Sequence, residues 1–322
     1  MLIIAHDICY NVKDMEISII IPVHNAGKYL ERCLDSVVDS LSGIHGEIVI
    51  VNDNSSDNLL EIIQGHQKRY PKVISILNCQ KHGAAAARNF GVQSAHGKYI
   101  WFIDADDYIA KDSIHKLLEK TKSAKADMVM MGAEKIHQDG TRLYLSAVDP
   151  KKPDYKSRFV RYGMGPWQVI IKREWWIDNN FQFQEGFIHE DMGLMSALIL
   201  YTDNFTSIDE PLYFYCENKN SVLHKTKWDA HCFDIFPALE NLYKKFTDKK
   251  AVKKYHDELE WFFIWNLLLD SAKDFAQFKE GQVGFARSRK MLKEYFPRWR
   301  KNRFLRQKPL KLKIKVLLNY YK

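Results

Sequence analysis

The sequence predicts an α/β protein with a doubly wound, mostly parallel sheet and a helical C-terminal extension. Three observations carry this. Short β-branched runs alternate with amphipathic helical stretches between residues 17 and 131. Polar and acidic residues sit just after those runs and do not interrupt them. From about Lys225 onward the periodicity is helical.

Residues 17–21 (ISIII) end at Pro22 and read as a buried strand. Leu30, Cys33, Leu34, Val37, Val38 and Leu41 then recur at three- and four-residue steps, one face of a helix that Gly43 and Gly46 end. Residues 47–51 are a second strand, and residues 57–69 a helix with Pro71 beyond its end. Residues 73–77 are a third strand, the Ala-rich residues 84–95 a helix, and residues 99–103 a fourth strand. Asp112 is placed to cap a helix to about Lys122, and residues 127–131 form a possible fifth strand. Residues 140–220 give no clear periodicity, but Trp167, Trp175, Trp176, Phe181, Phe183 and Phe187 make part of them aromatic-rich. Residues 258–276 are the clearest late helix. The expected division is a domain over residues 1–222, with a donor half at about 15–130 and an acceptor half at about 131–222, followed by a basic helical region over 223–322.

The composition is that of a globular protein, with 46% hydrophobic and 27% charged residues. No stretch reaches the roughly 18 apolar residues of a spanning helix. The N-terminal residues lack the basic start and apolar core of a secretory signal, so a cytoplasmic protein is expected. Five widely spaced cysteines form no C-x-x-C pair, which argues against a disulfide framework or a zinc site. Residues 287–322 carry 14 Lys or Arg against one acid, Glu294, although the whole chain is only +8, so the rest is net acidic. Residues 308–318 mix lysines with large apolar groups, as interfacial segments do. An anionic membrane surface is the expected partner of this tail; nucleic acid is not expected, given the acidic body.

In a doubly wound sheet, ligands bind beyond the carboxyl ends of the strands. His24 and Asn25 follow the first strand, Asp53 the second, and Asp104, Asp106 and Asp107 the fourth. Clustered carboxylates after a buried strand are costly unless something neutralises them, and Mg²⁺ or Mn²⁺ does so through oxygen ligands. The same acids would also fit a helix start. Asp53 can accept hydrogen bonds from a ribose or a base edge, or simply shape a turn, with Asp57 capping the next helix. Small residues from Gly83 onward allow close backbone approach, and Arg88 offers a guanidinium to phosphate or to a neighbouring Asp. His189-Glu190-Asp191 contains a candidate general base or a solvated helix start. His224 is a further candidate metal ligand or an ordinary surface histidine. A dinucleotide-dependent oxidoreductase is excluded by the absence of G-x-G-x-x-G after the first strand.

The order of these motifs resembles glycosyltransferase family 2 with its GT-A fold: IIPVHN (20–25), IVNDNSSD (50–57), Gly83 to Asn89 with Gly91, and FIDADD (102–107). Weaker matches follow at Trp167, at Glu190-Asp191, and at PLYFY (211–215) with Asn220-Ser221. The resemblance implies an inverting, metal-dependent hexosyltransferase that uses a nucleotide-sugar donor, a UDP-hexose or UDP-N-acetylhexosamine. The acceptor would be a glycan or lipid-linked glycan of bacterial surface polysaccharide synthesis, and the enzyme would work peripherally on the inner membrane face. It implies donor contacts at Pro22, His24, Asn25, Asp53, His82, Gly83, Arg88, Asp104 and Ala105. Asp106 would hold Mn²⁺ or Mg²⁺, with Asp104 and His224 as further ligands. Trp167 and Glu190 would meet the acceptor, and Asp191 would be the catalytic base. His24 stands where the family commonly has Tyr, and His82 where it commonly has Asn or another polar residue. A non-catalytic sugar-nucleotide-binding relative is the alternative reading.

Overall fold

The structure is a computed structural model that describes residues 14–218 and 229–322. His224 and the Asn220-Ser221 pair lie outside the described residues. Two units are distinguished by their internal contacts: residues 1–147, 166–185 and 204–218 form one, and residues 148–165, 186–203 and 219–322 the other.

The first unit is a nine-stranded sheet with helices. Its strands are β1 (Ile17–Val23), β2 (Gly46–Asn52), β3 (Ile74–Asn78), β4 (Tyr99–Phe102), β5 (Tyr108–Ile109), β6 (Met128–Ile136), β7 (Arg142–Leu145), β8 (Val169–Lys172) and β9 (Phe205–Cys216). The order is β3-β2-β1-β4-β8-β6-β9-β5, with β7 paired to β6. β3, β2, β1 and β4 are mutually parallel, as the alternation predicts. Beyond β4 the sheet is mixed: β8 is antiparallel to both β4 and β6, whereas β9 runs parallel to β6.

The connecting helices are α1 (Gly27–Ser40), α2 (Leu59–Arg69), α3 (Ala84–Ser94) and α4 (Ser113–Ala124). The stripe read from the sequence in α1 is buried at Leu30, Cys33, Leu34 and Val37. These side chains join Ile17, Ile19, Ile21, Ile48 and Ile50 in one apolar core. α3 lies close on the sheet because Gly91 has no side chain; an added Cβ would stand 2.4 Å from Ile20 Cγ2. Asp112 occupies the position before α4 without capping it, and pairs instead with Lys116 at 2.9 Å.

The second unit is helical. It contains α5 (Tyr155–Tyr162), α7 (Met192–Met195), α8 (Ile235–Asp248), α9 (His256–Trp265), α10 (Ser271–Gln277), α11 (Val283–Tyr295), α12 (Arg303–Arg306) and α13 (Leu310–Tyr321); α6 (Arg173–Asp178) belongs to the first unit. α9 and α10 are joined by a π-helical turn, Asn266–Asp270, so the long helix read at 258–276 is real but interrupted. Trp261 and Phe263 in it are buried, as the apolar run predicts.

Candidate active site

The parallel register sets the site. Val23 lies opposite Asn52, so the residues that leave β1 and β2 emerge side by side. Asp53 N donates to Val23 O at 2.9 Å, and His24 Nδ1 donates to Asp53 O at 2.6 Å. Asn25 adopts a left-handed conformation (φ 49°), which asparagine tolerates, and its Oδ1 accepts from Ser56 N at 2.9 Å. Asp57 accepts from Leu59 N and also from Gly27 N (2.8 Å), so this acid ties two helix starts together. The rings of His24 and His82 stay exposed, and Pro22 is partly buried within β1.

Asp53 is buried, 8% exposed. Its Oδ2 accepts from Gly83 N at 2.8 Å, the residue before α3, whose φ of 101° suits glycine. Its Oδ1 is buried without a hydrogen-bond donor. The exposed His82 Nδ1 stands 3.3 Å away, an ion pair only when that imidazole is protonated. A carboxylate oxygen kept dry and without a donor is costly, and it is suited to a donor brought by a ligand.

One turn into α3, buried Arg88 pairs with Asp104 Oδ1 at 2.9 Å. The sequence allowed this pairing, and it links the α3 start to the β4 end. Ala105 is buried between the acids. Asp106 has its main-chain oxygen held by Arg32 of α1 at 2.6 Å, while its Oδ2 meets a neutral amide, Asn218 Nδ2, at 3.5 Å. Burial, and then the charge of Asp104, push the Asp106 carboxyl above the usual carboxylate range. Asp107 is wholly buried, accepting from Tyr213 Oη and from Cys216 N. Burial and its two acidic neighbours push it well up. The same field acts on Tyr215, whose hydroxyl is pushed up to about 12, first by burial and then by Asp107. The carboxylates of Asp104 and Asp106, just beyond β4, are hard oxygen donors of the kind that hold a divalent cation, which would neutralise them.

Trp167 is half-buried and stacks on Tyr213 at 4.7 Å and on Tyr215 at 5.5 Å. It therefore backs the tyrosine that holds Asp107. Trp176 and Phe183 pack on Phe102, and Phe181 packs on Trp176; all three are buried as core. Glu190 and Asp191 belong to the second unit. Asp191 precedes α7 and follows His189, whose φ is 72°. Gly193 lets α7 pack on α8, since an added Cβ would stand 3.1 Å from Ala238 O.

The sequence marks Asp107 only as a member of the carboxylate cluster and gives no role to Arg32, Tyr29, Tyr213 or Asn218. Asp107 was visible as the third acid of the cluster, and Tyr213 lies in the PLYFY segment. Nothing marks Arg32, or Tyr29, whose Oη donates to Asn218 Oδ1 at 3.0 Å.

Comparison with known proteins agrees with this arrangement. Residues 18–177 match the model of "Glycosyl transferase family 2". The chain is 30% identical over 256 residues to the uncharacterized glycosyltransferase EpsJ of Bacillus subtilis, covering 74% of this chain and 72% of that one. It is 29% identical over 171 residues to the poly(ribitol-phosphate) beta-glucosyltransferase of Bacillus spizizenii, covering 52% of this chain but 27% of that longer protein. In structure it superposes on S. aureus TarS 1-349, crystallised with UDP and with UDP-GlcNAc, with a TM-score of 0.73 and 17% identity over 95% of this chain and 89% of that one. That likeness establishes the GT-A fold with its helical C-terminal part. Strand-end acids arranged in this way, a matching family model and a relative alike over most of both chains lead to one conclusion: the protein is a glycosyltransferase of family 2.

Proposed function

We propose that this transferase moves a hexose or N-acetylhexosamine from a UDP-linked donor to a hydroxyl of a glycan or lipid-linked glycan, with inversion at the anomeric carbon. The observation that carries the reading is the donor-free Oδ1 of buried Asp53, at the end of a parallel strand. An N–H of uracil or a ribose hydroxyl would supply the missing hydrogen bond. The relatives named for UDP-sugars and for poly(ribitol-phosphate) support the donor and acceptor classes.

The roles follow from the chemistry of each group. His24, Asn25 and Pro22 flank the nucleoside beside Asp53. Gly83 and His82 leave room for the donor at the start of α3, and Arg88 keeps Asp104 oriented toward ribose or sugar. Asp106, with Asp104, would hold Mn²⁺ or Mg²⁺, which when bound offsets the negative charge growing on the departing diphosphate. Asp191 takes the proton from the acceptor hydroxyl as that oxygen attacks the face opposite the leaving nucleotide. Trp167 and Glu190 are assigned to the acceptor side. With such an acceptor the enzyme would serve surface polysaccharide synthesis and work in the cytoplasm at the membrane's inner face.

The test is a panel of UDP-, GDP- and dTDP-sugars, read as donor hydrolysis with and without Mn²⁺ and as thermal stabilisation. UDP-sugars are expected to raise Tm and to be hydrolysed only with the metal present. Equal response to all three nucleotides, or hydrolysis indifferent to chelator, would reject the donor or the metal assignment respectively.

A further inference from the structure

α13 is a short amphipathic helix with its apolar stripe facing outward. Leu310, Ile314, Leu317, Leu318 and Tyr321 recur at steps of four, three, one and three residues, so they share one face. They are 71%, 47%, 38%, 61% and 70% exposed. The opposite face holds the helix in place. Val316 and Tyr320 are buried, Asn319 Nδ2 donates to Leu268 O at 2.8 Å, and Arg289 donates to Tyr320 O at 3.1 Å. Leu268 lies within the π-helical turn, where the usual carbonyl partner is displaced. Because α13 is tied down from behind, its apolar face is turned outward by the fold itself.

Lysines border the stripe. Lys311 and Lys315 are exposed, and among the described residues no carboxylate pairs with either of them or with Lys313. They belong to the segment with 14 Lys or Arg against one acid. α13 is 12 residues long, against the roughly 20 needed to span a bilayer, and no helix among the described residues is long and apolar enough to cross one.

We infer that the outward face of α13 is a docking surface for an anionic lipid bilayer. The four aliphatic side chains enter the boundary between headgroups and acyl chains, Tyr321, whose Oη accepts from Arg300 at 3.0 Å, sits at headgroup level, and the flanking lysines meet anionic headgroups. Charge selects this occupant over a second copy of the chain. Pairing two such faces would bring two lysine-rich segments together, and one helix stripe offers far less than the roughly 800 Å² per partner of a stable interface. The inference extends the proposed function, and rests on it only for the acceptor being presented at a membrane.

The experiment is cosedimentation of the full chain with vesicles, without donor or acceptor, so its outcome is independent of the transfer chemistry. The chain is expected to sediment with phosphatidylcholine vesicles containing one-third phosphatidylglycerol and not with pure phosphatidylcholine, with binding weakened by salt. Ile314→Glu/Leu318→Glu is expected to lower partitioning at least tenfold while circular dichroism stays unchanged. Leu318→Trp is expected to shift its emission to the blue on anionic vesicles. No binding by the parent chain, or binding by the double variant equal to the parent's, overturns the inference. So does self-association of the parent in sedimentation velocity that the double variant abolishes, because a second copy would then occupy the face.

Discussion

Buried acids occur in both units of this protein, and they are treated differently. In the helical unit, Glu258 is buried and meets Arg303 and the Ser157 hydroxyl. His256, Asp257 and Glu260 bring ligating atoms within 4.8 Å of one another, yet Arg303 pairs with Asp257 at 3.1 Å and Asn302 donates to Glu260 at 2.8 Å. In the sheet unit, Asp104, Asp106 and Asp107 are consecutive or nearly so, and only Asp104 has its carboxylate on a cation. An acid answered by the chain's own cations is architecture. Asp106 and Asp107 are pushed up by burial and by neighbouring acids, and on the proposed reading Asp106 awaits a cation from outside.

Mutation can break that contrast. Asp106→Ala should remove transfer, a fall of at least about 10³-fold in kcat, with Tm and circular dichroism unchanged. Asp191→Asn should lower kcat by about 10²–10⁴-fold and leave donor binding intact, as calorimetry with a UDP-sugar would read. Near-parental turnover by Asp191→Asn would reject the base. Tyr213→Phe should cost about 2–3 kcal/mol in urea unfolding, because it strips a donor from buried Asp107. Arg303→Ala should cost about 1–2 kcal/mol, reduced because its side chain is 57% exposed, and should leave kcat unchanged. If Arg303→Ala instead abolished transfer, the assignment of the helical unit's acids to architecture would fail.

The smallest effect concerns pH. Burial raises the Glu260 carboxyl, so the native state holds that proton more tightly than the unfolded chain. Ionised Glu260 therefore costs stability above its raised pKa, and the cost fades as pH falls through that value. Glu260→Gln should raise Tm by about 1–3 °C in mildly alkaline buffer, with the gain shrinking on acidification. A gain that grew on acidification would show the opposite sign of linkage.

The sequence could be read as far as its contacts were local. β1 to β4 and α1 to α4 are visible because each strand is a short apolar run and each helix follows it in a local pattern, whereas the two-residue β5 leaves no such mark. β6 is read only at its start (127–131) and β7 to β9 are not, because their pairing joins distant residues: Met128 lies opposite Phe205, and Ile100 opposite Ile171. The same holds at the site. Asp53, Arg88, Asp104 and Asp106 could be singled out because they follow strands or open a helix. Tyr213 reaches Asp107 across 106 residues, and Arg32 reaches Asp106 from a helix face that looks like any solvated one. Composition does not say which way a ring turns, so the aromatic-rich segment after Trp167 fits a surface wall and a packed core equally. Packing with Phe102 decides it for Trp176 and Phe183.

The two left-handed asparagines at the strand ends have an entropic consequence. Asn25 and Asn54 each turn the chain sharply, and their loops are stitched together through Ser55, Ser56 and Asp57. On the proposed reading a nucleoside would meet a rim already tied by these hydrogen bonds, so little chain entropy would be lost on capture. Loosening one stitch, as in Asn25→Gly, would leave the acids in place and still weaken capture of the nucleotide.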